Sequence, residues 1–386
     1  MQNINNIYMS AGESSGDLLG ANLARALLQK NPNLTLTGMG GSRMQEAGVS
    51  IQFNADKFAV IGVFEVIKHL PLILSTLCAI KRYLSKTKPG LIILIDFPDT
   101  HFRIMKMAKK LNIPVLYYVS PQIWAWRSSR ITQIQHYVNH MAVLFAFEEK
   151  IYQTAKVPVT FVGHPLAELA KPTLSKTEAY DFFHLKPERP IVALFPGSRH
   201  SEMEKHLSII IESVKKIIAT QPGTQFVLVL AKHFDENYIR AQLPPEINII
   251  RDHLYDLLQI TQAAIAVSGT VTLEIALMQV PLCIIYKMSA VSFWLAKQLI
   301  HVKHIGLCNI VAEKSVAKEF IQDDVQPLMI ANEIIQLLSD KQYHDQIKME
   351  FETLKAKISV PNQNSSEIVA TIAMGLLANH ARSVAR

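Results

Sequence analysis

The chain has 386 residues, 49% hydrophobic and 18% charged, with a formal net charge of +7 at pH 7. That length exceeds one ordinary core and suits two domains, and the apolar share excludes a disordered chain. The positive balance favours an anionic partner, whether a nucleic acid, an acidic lipid or a phosphorylated substrate.

Met1–Tyr8 is polar and Asn-rich, with no basic start running into an apolar core, so no secretory leader is expected. Short β-branched runs then alternate with longer amphipathic stretches, the pattern of parallel sheets flanked by helices. Asn6–Ser10 reads as a strand and Leu18–Gln29 as a helix. Leu91–Ile95, Val115–Val119, Met141–Ala146 and Val159–Val162 read as further strands, with helices at Met105–Leu111 and Glu148–Thr154. Leu166–Lys186 is polar, Pro-bearing and irregular, which sets a domain junction near its start. The pattern restarts with strands at Ile191–Phe195, Gln225–Val229, Asn248–Ile250, Ala264–Val267 and Leu282–Ile285, and an apolar helix, Ile368–Leu377, follows Pro361. The reading is an α/β protein of two domains, residues 1–167 and 168–361, with a C-terminal helix over about 362–386 packed back on one of them. Two such halves are expected to set a ligand cleft between them, lined by loops at the carboxyl ends of the strands.

Four strand-to-helix loops carry residues suited to chemistry. Ala11-Gly12-Glu13-Ser14-Ser15-Gly16-Asp17 lets a ligand approach the backbone, or is simply a capped helix start; it lacks the Lys-Ser/Thr of a phosphate loop, and its acids would repel a phosphate. Gly38-Met39-Gly40-Gly41-Ser42-Arg43 lies on the same rim, with Arg43 a candidate anion contact. Asp96-Phe97-Pro98-Asp99 ends a buried strand and offers two carboxylates where a general base belongs, unless it is only a turn; Asp96 directly ends the apolar run and is the better oriented. Pro196-Gly197-Ser198-Arg199 sets an arginine at a helix N-terminus, an anion site worth up to ~2 kcal/mol from the dipole with charge-assisted bonds added. Ser268-Gly269-Thr270 supplies donors for a second phosphate, and Glu274, one turn on, a carboxylate for ribose hydroxyls. A surface arginine and a helix cap are the bland alternatives; paired, the last two loops read as a diphosphate-and-ribose site.

Cys78, Cys283 and Cys308 lie in apolar surroundings without metal-type spacing and are expected as buried, reduced thiols. There is no His/Cys cluster at zinc spacing and no Asp-x-Asp to hold a cation against a diphosphate, so helix N-termini and Arg199 must offset that charge. No metal and no cofactor are expected. Val60–Leu84 is apolar but broken by Glu65, Lys68, His69 and Pro71, so its longest clean stretch is too short to span a bilayer, and Lys68, Lys81, Arg82, Lys86 and Lys88 decorate it. It reads either as an ordinary core helix or as a helix lying in an acidic membrane interface. No basic run interleaved with aromatics is present, which argues against nucleic acid.

Taken in order, AGESSGDLLGA (11–21), GMGGSRM (38–44), FEVIKHLP (64–71), DFPD (96–99), YVSPQIWAWR (118–127), FVGHPL (161–166), FPGSR (195–199) and SGTVTLE (268–274) resemble the lipid-A-disaccharide synthase family, of GT-B type, over nearly the whole chain. The resemblance implies two Rossmann-like domains, an acceptor and membrane side first and a UDP-sugar side second. It implies an inverting transfer from UDP-2,3-diacylglucosamine to the 6-hydroxyl of 2,3-diacylglucosamine 1-phosphate at the cytoplasmic face of the inner membrane. It assigns Asp96 as base with Asp99 second, and Arg199, Ser198, Ser268, Gly269, Thr270, Glu274 and Asn309 to the UDP-sugar. Glu13, Ser14, Ser15, Arg43, Ser120, Gln122 and Trp124 are expected on the acceptor side, and Val63, Phe64, Val66, Leu70, Leu72 and Ile73 against acyl chains or lipid. The Trp124–Trp126 pair reads equally as a core anchor or a sugar platform. The sequence departs from the family pattern at His101, where Asn is usual, at Cys308, where Pro is usual, and at Ser42. The partners implied are acylated glucosamines and an anionic membrane surface, with a homodimer exchanging the C-terminal helix as one arrangement. A non-catalytic nucleotide-sugar binder and a GT-B epimerase are the rival readings; the former would have no use for Asp96, the latter none for the apolar segment.

Overall fold

A computed structural model of the chain describes residues 3–55, 65–124, 129–290, 293–294, 298 and 303–384. The chain divides into two compact units, Met1–Pro165 with Ile358–Arg386, and Leu166–Lys357. In the first, the strands are β1 (Asn3–Ala11), β2 (Thr35–Gly40), β3 (Ser50–Asn54), β4 (Pro89–Ile95), β5 (Val115–Tyr118), β6 (His140–Val143) and β7 (Val159–Phe161). They form one sheet in the order β3-β2-β1-β4-β5-β6-β7, every pairing parallel. The second unit holds β8 (Ile191–Phe195), β9 (Gln225–Val229), β10 (Ile247–Ile250), β11 (Ala263–Val267), β12 (Leu282–Tyr286) and β13 (Lys318–Ile321). Its sheet runs β10-β9-β8-β11-β12-β13, again all parallel.

Helices cover both faces of such sheets, so the central strands carry continuous apolar runs. β4, β8 and β11 are buried at every residue. Winding in each unit starts outward from β1 or β8, then crosses to β4 or β11 on the other side. The order therefore reverses between β1 and β4, and between β8 and β11, and it is there that open α/β sheets bind ligands.

Several expected boundaries shift for local reasons. The helix expected from Met105 begins at Pro98, which is its first residue: proline's fixed φ suits N1 and its missing N–H is an orphan there anyway. Strand β6 stops at Val143 because Phe145 caps the helix Ala146–Thr154, with the Glu148 carboxylate reaching back to the Phe145 N–H. Leu166–Lys186 is not irregular throughout but contains the helices Leu166–Leu169 and Lys176–Phe183. Its extended part is tied down by Asp256, which accepts from the backbone of Thr173 and Leu174 at 2.6 and 2.7 Å. β3 and β13 carried no clear sequence pattern, being short and only part-buried edge strands. Gly38 and Gly40 belong to β2 rather than to a loop, and a Cβ on Gly38 would sit 1.7 Å from the Met9 carbonyl oxygen of β1. Cys78 is exposed, not buried, whereas Cys283 and Cys308 are buried and free. The C-terminal helix, Ser365–Val384, packs on the helix Ser14–Lys30 and on β4.

Asp17 fixes the loop geometry of the first unit. It is 6% exposed, and its carboxylate accepts from the backbone N–H of Gly41 at 2.7 Å, Arg43 at 3.1 Å and Met44 at 3.2 Å. An acid that looked hostile to a ligand is thus the cap of the helix Ser42–Glu46. Asp17→Ala leaves those buried donors unmet and is expected to cost about 3 kcal/mol, read as a lowered denaturant midpoint at constant slope; a loss below about 0.5 kcal/mol would contradict the role given to Asp17.

Candidate active site

In the first unit, the loops after β1 and β4 meet at the reversal. Asp96 and Phe97 both lie in the left-handed region, with φ of 53° and 50°, a conformation costing about 1–3 kcal/mol at each non-glycine residue. The Asp96 N–H still donates to the Tyr118 carbonyl at 2.9 Å, so the chain leaves the sheet immediately after that bond. The Phe97 ring lies over Gly12, where an added Cβ would come within 2.2 Å of it. The Asp96 carboxyl is half-buried, and its pKa is pushed up to about 6, first by burial and then by the nearby Glu13 carboxylate, against a smaller lowering from the Phe97 N–H.

The other acid of this loop has a different fate. Asp99 is exposed and forms an ion pair with Arg130, whose guanidinium also lies 4.7 Å from the Phe102 ring centre. Glu13, Ser14 and Ser15 are exposed, and Arg43 Nη1 donates to the Ser14 carbonyl at 3.4 Å, so the two rim loops are adjacent. Ser120 is buried: its hydroxyl donates to the Pro121 carbonyl at 2.9 Å and lies 2.7 Å from the Tyr152 hydroxyl. Gln122 is exposed. The Trp124 indole N–H donates to Glu148 at 3.2 Å and its ring meets Phe147 edge-on, so the half-buried indole is anchored into the unit. Burial raises the Glu148 pKa to about 7, against lowering by its hydrogen bonds from Trp124 and Phe145. Trp126, Val63 and Phe64 lie outside the described residues, as do the side chains of Val66, Leu70, Leu72 and Ile73 on the helix Glu65–Thr87.

In the second unit, the loops after β8 and β11 enclose a cavity of about 480 Å³, within the range of small-molecule sites. Ser198, Arg199, Ser268, Gly269, Thr270 and Glu274 all line it. Glu202 Oε2 accepts from the Ser198 and Arg199 N–H groups at 2.9 and 3.2 Å, and its Oε1 from Arg199 Nη1 at 3.1 Å. A carboxylate therefore already sits on these amides, which shows them arranged to hold an anion. The Tyr255 hydroxyl donates to Glu274 at 2.8 Å, and burial raises the Glu274 pKa.

Two expectations need correction. The Ser268 hydroxyl proton is committed to the Ile305 carbonyl at 2.7 Å, so Ser268 joins two loops instead of offering that proton to a phosphate. Asn309 does not line the cavity: it is 0% exposed, donating to the Ala317 carbonyl at 2.7 Å and to Glu319 at 2.9 Å, and accepting from Val316 and Ala317 N–H. Glu319 in turn accepts from the Ile305 and Gly306 N–H groups, and Thr272 Oγ1 accepts from Leu307 N–H. Asn309 thus braces the backbone at Ile305 and Gly306 through Glu319.

Lys232 and Arg251 also line the cavity and were not expected there. They follow the carboxyl ends of β9 and β10, the same signal that marked the other loops. Among the described residues no group of three or more His, Cys, Asp or Glu could hold a metal ion.

Gly197 has φ of 109°, and a Cβ there would lie 2.5 Å from the Glu202 Cβ. Gly197→Ala is expected to cost about 1–3 kcal/mol, read as a lowered melting temperature; an unchanged melting temperature would contradict this geometry.

A family model described as lipid-A-disaccharide synthetase matches residues 7–373. The chain is 49% identical over 365 residues to a lipid-A-disaccharide synthase of Coxiella burnetii, covering 94% of this chain and 97% of that one. In three dimensions it resembles the glycosyltransferase of kitacinnamycin, with a TM-score of 0.64 at 13% identity over 96% of this chain and 99% of that one. It also resembles the UDP-GlcNAc 2-epimerase of Neisseria meningitidis, with a TM-score of 0.61 at 11% identity over 97% and 99%. At such identities the likeness establishes the fold, GT-B, and nothing about the reaction.

Proposed function

We infer the reaction from one premise: the chain belongs to the lipid-A-disaccharide synthase family. It is a glycosyltransferase that forms the lipid A disaccharide, and its acceptor and donor are acylated glucosamines. The observation that carries this reading is the family match over residues 7–373, a span that contains every loop described above.

The residue roles are our proposal. The acceptor 6-hydroxyl attacks C1 of the UDP-activated sugar; an O–C1 bond forms, the C1–phosphate oxygen bond breaks, and inversion follows from the single displacement. Asp96 takes the hydroxyl proton, a role worth about 10²–10⁴ in rate. What supports Asp96 over Asp99 is environment: Asp99 is exposed and paired with Arg130, whereas Asp96 is half-buried with a pKa near the working range. A base must be ionised, so kcat is expected to rise with pH through about 6. Arg199 and the amides of Ser198 and Arg199 receive the diphosphate, which displaces Glu202 from them, while Glu274 receives the ribose. No metal enters this scheme; cationic and amide donors carry the leaving-group charge.

Two variants and a chelator test it. Asp96→Asn is expected to lower kcat by about 10²–10⁴ with little change in UDP affinity. Arg199→Ala is expected to raise the UDP Kd about ten- to hundredfold. Full activity in excess chelator is the third expectation. Normal turnover by Asp96→Asn would remove it as base, and metal-dependent turnover would reject the scheme.

We further propose that the helix Glu65–Thr87 meets the surface of an acidic membrane, from which acylated substrates come. Leu77, Ile80 and Leu84 face the core, while Leu74, at 48% exposure, and Cys78 face outward, with the exposed Lys81 and Arg82 both one turn beyond Cys78. Among the described residues no helix is long and apolar enough to cross a membrane. Sedimentation with vesicles checks the proposal: acidic vesicles should bind more tightly than neutral ones, and Lys81→Ala with Arg82→Ala should weaken that binding, at about 1 kcal/mol per basic residue. Equal binding to both kinds of vesicle would reject it.

A further inference from the structure

The reaction uses the Asp96 carboxyl, and a buried network stands behind the same residue. The Asp96 carbonyl oxygen accepts two hydrogen bonds, from the Tyr117 hydroxyl at 2.8 Å and from His101 Nδ1 at 2.5 Å. A carbonyl oxygen only accepts, so Nδ1 carries the proton. Nε2 lies 2.9 Å from Ser10 Oγ, and in this tautomer the hydroxyl donates to it. Burial keeps the ring neutral by lowering the His101 pKa to about 3. Phe97 and Tyr117 each meet that ring edge-on, with centroids 5.8 and 5.9 Å away. Ser10, His101 and Tyr117 are all 0% exposed, so none of them reaches a substrate.

We propose that His101 is a positioning residue for the base: with Tyr117 it clamps the Asp96 carbonyl, holding the two consecutive left-handed residues that aim the Asp96 carboxyl. This rests on the reading of Asp96 as base. The clamp answers a local problem. Phe97 precedes a proline, which disfavours helical backbone, and neither it nor Asp96 is a glycine. Two donors converging on the one peptide oxygen between them hold a conformation that the residues themselves do not favour.

The geometry also specifies which substitutions preserve the clamp. The amide nitrogen of asparagine is bonded to Cγ, as Nδ1 is in histidine, so an Asn at 101 carries an N–H at the same branch point. It keeps the bond to Asp96 and loses only the one to Ser10. Leucine fills similar space and keeps neither.

The test compares His101→Leu, His101→Asn and Tyr117→Phe with the parent in kcat, donor KM and the pH profile of kcat, with circular dichroism to establish folding. Among the described residues the titratable groups facing Asp96 are Glu13 from the first loop, His101 from the helix that follows it and Tyr117 from β5. Burial keeps His101 and Tyr117 neutral across the working range, so the acid limb reports the carboxyls. His101→Leu should lower kcat about ten- to hundredfold, the scale set by a small misplacement of a reacting group. Its donor KM should stay within about twofold, since misplacement of the base leaves donor binding alone. Its acid limb should move below 6, as the carboxyl gains water. His101→Asn should retain most of kcat and the acid limb. An unaltered kcat and acid limb in folded His101→Leu overturns the proposal, as does an equal loss in His101→Asn and His101→Leu. If His101→Leu fails to fold, Tyr117→Phe removes the other donor to the same oxygen and decides by the same change or constancy of kcat and acid limb. Asp96→Asn separates the two readings: full activity there overturns both, whereas an inactive Asp96→Asn beside an unaffected His101→Leu rejects the clamp alone.

Discussion

Each of the two parallel sheets is wound outward from an inner strand and then outward again on the other side, so two loops at its centre diverge and leave space between them. In the first unit these are the loops after β1 and β4; in the second, those after β8 and β11. A parallel sheet buried on both faces has its polar backbone satisfied by its neighbours, and polar side chains collect where the strands end. Glu13 and Asp96 stand at the first reversal, Arg199 and Glu274 at the second. Those positions follow from winding alone.

Within these loops the acids do different work according to what they touch. Asp17, Glu202, Glu319 and Asp256 each accept from two or more backbone N–H groups, acting as internal anions that hold a turn or a helix start. Asp99 is neutralised by Arg130. Among the described residues Asp96 takes no such bonds from a neighbouring loop and sits instead beside a second carboxylate, so burial and repulsion raise its affinity for a proton. Glu202 is the informative case among them. Its carboxylate occupies the amides at which we place the diphosphate, so on that proposal binding exchanges one anion for another rather than filling unmet donors.

Much of the fold was legible because its signals are local. Ile191–Phe195 and Gln225–Val229 are apolar runs bounded by turn residues, and they are strands over those same residues. Short edge strands such as Ser50–Asn54 lack that contrast, being only part-buried on alternate residues. Lys232 and Arg251 follow strands just as Arg199 does, but no glycine marks their loops, so no local pattern points to them. Asn309 was placed with the nucleotide by resemblance, whereas in the fold it braces β13 against the loop that Ser268 and Thr272 also hold. The resemblance leads one to expect Asn at 101; His101 and an Asn both carry an N–H on the γ-branch, where the Asp96 carbonyl accepts.

By itself the sequence determined the α/β class, the two-sheet organisation, the family and the loops in which chemistry sits, since strand, turn and helix patterns are written in residues a few positions apart. Only the tertiary structure decided which side chains remain available in those loops. Asp17 is claimed by amides 24 to 27 residues away, Asp99 by an arginine 31 residues away, and His101 by a serine 91 residues away. A hydrogen bond across such a separation depends on how strands are placed side by side, and no local pattern encodes it.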